Sequence, residues 1–225
     1  LVGSEMCIRD SQTMGEKAIA ATQPDGNMSL DLKIEQVKQY PTKDGEVTEI
    51  LLKDKVYPFE IKQYYKAYQG TDIISTWIEI MNNGKKSVTL YRFVSAYLPV
   101  QRGDNWLIHF HGHWGAENML EEEKLTNGQK VISNKDGMVN TETDNPSFML
   151  SIDGKPQEEY GHILGGTLAW TGNYLLKMDI TNTKLNIIAG INEENSHYKL
   201  ESKETFKTPE FAMTYSTSGL SLIHI

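Results

Sequence analysis

Cysteine is almost missing from this sequence. The single one, Cys7, stands in a stretch that does not read as natural protein. Leu1–Ser11 (LVGSEMCIRDS) is, codon for codon, the translation of transposase-adapter DNA. Leu220–Ile225 (LSLIHI) translates the reverse complement of the same mosaic end. Residues 1–11 and 220–225 are therefore expected to be adapter-derived tails and are set aside from fold reasoning. The natural segment is expected to be residues 12–219, a fragment of a longer protein that holds no cysteine. That excludes a disulfide framework, a thiolate nucleophile and a cysteine-based zinc site.

Other absences narrow the field further. No run of about 18 apolar residues occurs, so no helix is expected to span a membrane. Basic clusters are missing: 22 Lys and Arg face 30 Asp and Glu, a formal charge of −8. Without Arg9, Glu5 and Asp10 of the first tail the balance is 21 against 28, or −7. Such a chain lacks the clustered cations that nucleic acid requires. Gly165-Gly166 is not followed by Gly-Lys-Ser/Thr, so a bulge or close backbone packing explains it better than a phosphate loop. Ser147 and Ser151 lack the surroundings of a nucleophile elbow, and no cofactor is expected. Helical spacing is weak and confined to Ala116–Leu125, through Met119, Leu120 and Leu125.

What is present is the rhythm of strand and turn. In Tyr57–Ala67, the set Tyr57, Phe59, Ile61, Tyr65 and Ala67 alternates with Pro58, Glu60, Lys62, Tyr64 and Lys66, which predicts one greasy and one wet face. Ile74, Ile78 and Ile80 share a face of the next strand, opposite Trp77 and Glu79. Val88–Val100 is long, β-branched and aromatic, and reads as more deeply buried. Further strands are expected at Leu30–Val37, Val47–Leu52, Asn105–His113, Lys130–Ser133, Phe148–Ile152, Ile163–Trp170, Tyr174–Ile180, Leu185–Ala189 and Phe211–Tyr215. Asp25-Gly26, Asp44-Gly45, Asn83-Gly84, Asn127-Gly128, Asp136-Gly137 and Asp153-Gly154 punctuate these runs with residues that tolerate the positive φ of tight turns. The expected fold is all-β: one large antiparallel β-sandwich with strongly curved sheets, a size ordinary for a single domain.

Candidate chemistry is thinner. His109, His111 and His113 would line one face of a strand and could hold a metal, although hydrogen bonding between strands accounts for them more simply. Trp77, Trp106, Trp114 and Trp170 could stack sugar rings, with core packing as the ordinary alternative. Glu121-Glu122-Glu123 reads as a solvated face. A glycosidase needs two carboxyls about 5 to 10 Å apart across the scissile bond; Glu117, Glu121, Asp144 and Glu210 are available, and nothing selects among them. The residues alone thus define no catalytic set, no substrate-binding set and no metal site.

Three groups of motifs go further. They are Asp25-Gly26-Asn27-Met28-Ser29 with Val56-Tyr57-Pro58-Phe59-Glu60; Phe110-His111-Gly112-His113-Trp114; and Ser147-Phe148-Met149-Leu150, Gly165-Gly166-Thr167-Leu168-Ala169-Trp170-Thr171-Gly172-Asn173-Tyr174, Ala189-Gly190-Ile191-Asn192 and Thr208-Pro209-Glu210-Phe211 with Thr214-Tyr215-Ser216. In this order, over Ala18 to Gly219, they resemble the N-terminal domain of glycoside hydrolase family 36, a β-supersandwich of galactose-mutarotase-like form. The resemblance implies an exo-acting, retaining α-galactosidase that takes melibiose, raffinose or galactomannan side chains. It also implies a homo-oligomeric parent whose two catalytic aspartates sit in a following (β/α)₈ barrel, the nucleophile in a Lys-Trp-Asp context. No Lys-Trp-Asp occurs here, so the fragment alone is expected to be inactive. Family members often carry an upstream loop with an Asp-aromatic-Arg motif that reaches an active site in the oligomer; Gln12–Lys17 does not match it. The alternative from a different class is a free-standing carbohydrate-binding sandwich, with Trp114 as the residue to test. A His-rich metal sandwich is the weaker third possibility.

Overall fold

The computed structural model describes residues 17–137, 144–194 and 197–224. Residues 1–11, with Cys7, lie outside the described residues, as does most of the Gln12–Lys17 stretch. Two antiparallel sheets face one another. The strands are β1 (Ile19–Thr22), β2 (Leu32–Thr42), β3 (Gly45–Asp54), β4 (Phe59–Tyr68), β5 (Ile73–Asn82), β6 (Val88–Gln101), β7 (Trp106–His113) and β8 (Ala116–Lys124). They continue with β9 (Gly128–Asn134), β10 (Asp144–Ser151), β11 (Ile163–Leu168), β12 (Tyr174–Ile180), β13 (Lys184–Ile191), β14 (Tyr198–Leu200), β15 (Thr205–Lys207) and β16 (Phe211–Ser216). A 3-10 helix covers Gly219–His224. The smaller sheet has six strands in the order β1-β6-β13-β12-β9, with β14 beside β6. The larger has ten, in the order β2-β3-β4-β5-β16-β11-β10-β7-β8, with β15 beside β5. The all-β antiparallel sandwich is therefore the observed fold.

Two clusters of buried side chains fill the gap between the sheets. One joins Ile19, Ala21, Leu90 and Val88 of the smaller sheet to Leu52, Phe59, Ile61, Ile78 and Ile80 of the larger. The other joins Leu176, Met178, Leu185 and Ile187 to Leu107, Phe148, Leu150, Leu168 and Phe211. Each fully buried aliphatic or aromatic side chain contributes roughly 2 kcal/mol of transfer free energy. The period-two alternation of β4 and β5 places Phe59, Ile61, Ile78 and Ile80 inward, as their spacing predicts.

Several expectations are corrected. Ala116–Leu125 is not helical. Ala116–Lys124 is the strand β8, held in register along β7 from Trp106–Lys124 to His113–Ala116; ladder pairing with an adjacent long strand outweighs a weak helical periodicity. Tyr64 is not on a wet face. It is buried because its ring stacks on Trp77 with centroids 4.9 Å apart. The short strands β1, β14 and β15 carried no legible pattern. The Asn-Gly and Asp-Gly turns do not all close hairpins either. Asp44-Gly45 and Asp153-Gly154 join neighbours in one sheet. Asp25-Gly26, Asn83-Gly84, Asn127-Gly128 and Asp136-Gly137 instead lie between strands of different sheets.

Buried asparagines build these crossings. Asn82 Nδ2 donates to the carbonyls of Lys86, Leu200 and Glu201 at 2.8 to 3.1 Å, and Gly84 N–H donates to its Oδ1 at 2.9 Å. Asn105 does the same where β6 passes to β7: Nδ2 donates to Ile152 O at 3.1 Å, and Oδ1 accepts from Gly103 N at 2.9 Å. Asn192 Nδ2 ties the ends of β9 and β12 together through Asn134 O at 3.2 Å and Tyr174 O at 3.3 Å. An Asn side chain serves a crossing because it donates and accepts at once, satisfying backbone groups that have left their ladder.

Candidate functional site

The three histidines of β7 do not form one site: His109 is buried and His111 and His113 are exposed, with a break in the β7–β8 register between the last two. His109 is 3% exposed; its Nε2 lies 3.3 Å from Glu123 Oε1 and 3.5 Å from Glu121 Oε2 on β8. Neither ring nitrogen makes a directed hydrogen bond. Glu123 is already paired with Lys130 of β9, which ties the open edges of the two sheets together over the imidazole. His111 is exposed, and its Nδ1–H donates to Asp144 Oδ1 at 2.9 Å. His113 Nδ1–H donates to the Trp114 carbonyl at 3.0 Å. Each imidazole has its own partner, and among the described residues no group of three or more His, Cys, Asp or Glu could hold a metal ion.

The candidate carboxylates do not converge either. Glu121 faces His109, Asp144 Oδ1 is hydrogen-bonded to His111 Nδ1, and Glu210 meets Lys207 Nζ at 3.4 Å. Glu117 stands exposed on the edge strand β8. A glycosidase acid must have its pKa raised. The carboxyls that clearly shift among the described residues move the other way. Tyr57 O–H holds Asp25 down, Lys66 holds Asp44 down, the His162 N–H groups hold Asp153 down, and Tyr198 O–H holds Glu204 down. These are ionised clasps rather than proton donors. Ser147 Oγ shares a 2.7 Å hydrogen bond with Thr167 Oγ1 across β10 and β11 and faces no base. Gly165-Gly166 is a place of close packing. The register on both sides of β11 is regular, and a Cβ on Gly166 would come within 2.6 Å of Phe211 Cζ and 2.7 Å of Phe148 Cε1.

The tryptophans separate sharply. Trp77 has Tyr64 stacked on its ring and Lys207 Nζ 4.8 Å from the ring centroid. Trp106 has its Nε1 buried and Lys155 Nζ 5.8 Å from its ring centroid. Trp114, in the β7–β8 turn, is 84% exposed. Trp170 is 40% exposed and backed by Gly172, where a Cβ would lie 2.8 Å from the indole Nε1. Sequence reasoning could not rank these four, because stacking partners such as Tyr64 and Lys207 come from other strands.

The chain is thus a two-sheet antiparallel β-sandwich domain with packed glycines in β11 and, among the described residues, scattered candidate carboxylates. Residues 2–201 match the family described as Glycosyl hydrolase family 36 N-terminal domain, and the chain belongs to that family. It is 29% identical over 214 residues to the alpha-galactosidase Mel36A of Lactobacillus acidophilus, covering 88% of this chain and 29% of that protein. It is 27% identical over 179 residues to the alpha-galactosidase AgaA of Geobacillus stearothermophilus, covering 79% of this chain and 24% of that one. The crystal structure of the latter, a GH36 alpha-galactosidase, superposes with a TM-score of 0.87 at 25% identity, over 92% of this chain and 31% of that one. The chain thus spans less than a third of the length of these relatives.

Proposed function

We propose that this chain is the N-terminal, non-catalytic domain of an exo-acting, retaining α-galactosidase that hydrolyses terminal α-galactosides such as melibiose, raffinose and galactomannan side chains. The observation that carries this is the family match over residues 2–201, joined to a fold that follows the first-named crystal structure over 92% of the chain. The scattered carboxylates support it too, since among the described residues none is set as an acid opposite a nucleophile. Turnover then resides in a barrel outside this chain, with its nucleophile in a Lys-Trp-Asp context. The sandwich contributes a rigid platform and, in the parent, a homo-oligomer contact. Residues 12–219 are the natural segment on this proposal, and residues 1–11 and 220–225 translated adapter.

Two measurements test it. The purified chain is expected to release no chromogen from an aryl α-galactoside beyond a mock preparation; genuine turnover overturns the non-catalytic assignment. The parent DNA, read outward from Gly219, is expected to continue into a barrel with a Lys-Trp-Asp strand end. A natural stop codon shortly after Gly219 would favour a free-standing carbohydrate-binding sandwich.

A further inference from the structure

Resting on the proposed α-galactoside function, we infer that Trp170 is a stacking platform for a pyranose ring, a carbohydrate contact on the sandwich itself. Sugar stacking requires an aromatic ring that is open on one side and held still on the other, because a mobile ring loses rotamer entropy on binding. Trp77 is occupied by Tyr64 and Lys207. Trp106 has its Nε1 turned into the protein. Trp114 is open, but at 84% exposure it has almost nothing to hold it.

Trp170 meets both conditions. It stands in the connection from β11 to β12, where the chain passes from the larger sheet to the smaller. Backbone bonds pin the segment on both sides. Ala169 N donates to Glu210 O at 2.8 Å and Trp170 N to Leu168 O at 2.8 Å. At the far end, Asn192 N donates to Asn173 O at 3.1 Å, and Asn173 Oδ1 accepts from Gly137 N at 2.7 Å. The glycine between these anchors lets the indole lie against the backbone: a Cβ on Gly172 would reach Nε1, Cε2 and Cζ2 at 2.8, 3.2 and 3.4 Å. With these contacts in place Trp170 is still 40% exposed. The ligand class follows from the same geometry. A galactopyranose carries its axial 4-hydroxyl on one face, which leaves the C3, C4 and C5 hydrogens as an apolar patch on the other. A flat, supported, electron-rich ring suits that patch.

The test is titration of the full chain with melibiose, followed by the indole N–H resonances of the tryptophans. Saturable shifts at millimolar sugar are expected at Trp170 and not at Trp114. Trp170→Ala is expected to bind roughly tenfold more weakly or not measurably, about the loss of one aromatic contact. Trp170→Phe keeps a ring in place and is expected to retain most of the affinity, whereas Gly172→Ala displaces the ring and is expected to weaken binding. Trp114→Ala is expected to change nothing. If Trp170→Ala does not fold, Trp170→Phe and Gly172→Ala decide the matter. No saturable shift in the unaltered chain, or binding that survives Trp170→Ala or disappears with Trp114→Ala, overturns the inference. An α-galactoside-hydrolysing parent whose sandwich binds no sugar would refute the platform and leave the proposed function standing. A parent that hydrolyses nothing would refute the proposed function instead.

Discussion

The margin and the interior of the larger sheet place their strands in opposite environments. In β2, eleven residues long, only Leu32 is buried; Ile34, Val37 and Tyr40 are exposed despite being good strand formers. In β11, six residues long, Ile163, Gly165, Gly166 and Leu168 are all buried. Both are hydrogen-bonded into the sheet along their length. They differ in what lies across from them. β11 has a strand on each side, β10 and β16, and faces the cluster formed by β12 and β13. β2 pairs with β3 alone at the sheet margin, and the ten-stranded sheet has more strands than the six-stranded one can cover. Alternation in a sequence reports a strand; only the second sheet decides which strands become core.

The largest effect should come from the interior of that comparison. Phe211 is fully buried beside Phe148, with ring centroids 6.3 Å apart. Phe211→Ala is expected to cost about 4 kcal/mol of unfolding free energy, read as a fall in the urea midpoint at unchanged slope. An equal loss on truncating an exposed β2 residue would break the comparison. Gly166→Ala should follow at about 3 kcal/mol, because the added methyl must displace two packed rings rather than a flexible chain end. A neutral Gly166→Ala would mean that Phe148 and Phe211 can part without cost.

How much of this was legible in the residues depends on the kind of interaction. Strands with inward aliphatics, such as Phe59, Ile61, Ile78 and Ile80, announced themselves, because a local period is written locally. β8 did not: Ala116–Lys124 carries no alternation of its own and is a strand through its ladder to β7. The sheet crossings were visible only as Asn-Gly and Asp-Gly punctuation. Their real builders, Asn82, Asn105 and Asn192, bond residues as much as 119 positions away, a distance no window spans. The candidate site followed the same rule. The His109-to-His113 spacing is a fact of one strand, whereas the Glu123–Lys130 pair beside His109 and the Asp144 partner of His111 come from others. The family motifs carried more than the chemistry did, since Gly166 and Gly172 mark places where aromatic side chains lie closer than a Cβ would allow.

At the exposed flank, effects should shrink. Val37→Thr on β2 is expected to move stability by no more than about 0.5 kcal/mol, since the valine is already in solvent and threonine keeps the strand preference. Equilibrium denaturation beside Phe211→Ala supplies the contrast. A cost of core size at Val37 would show that β2 is covered in solution.

The smallest predicted effect is one of pH, at the connection that leads into β2. Tyr57 O–H donates to Asp25 Oδ2 at 2.7 Å, and Asn27 Nδ2 donates to the same phenolic oxygen at 2.9 Å. The bond holds the Asp25 carboxyl below its usual range and pushes the Tyr57 phenol above its own. A carboxyl whose folded pKa is depressed stabilises the fold above its unfolded value, and that contribution is lost as pH falls through the folded one. A phenol whose folded pKa is raised contributes below its unfolded value and loses that contribution as pH climbs through the folded one. The clasp is therefore complete in the neutral range and weakens at both extremes. Tyr57→Phe removes the donor, so its thermal midpoint should lie slightly below that of the unaltered chain near neutrality. The two should converge as Asp25 becomes protonated. The exposure of Asp25 and salt screening keep the gap small. A gap that stays constant into acid would show that Tyr57 acts through packing against the partly exposed turn, and that the hydrogen bond to Asp25 adds nothing to the stability of this flank.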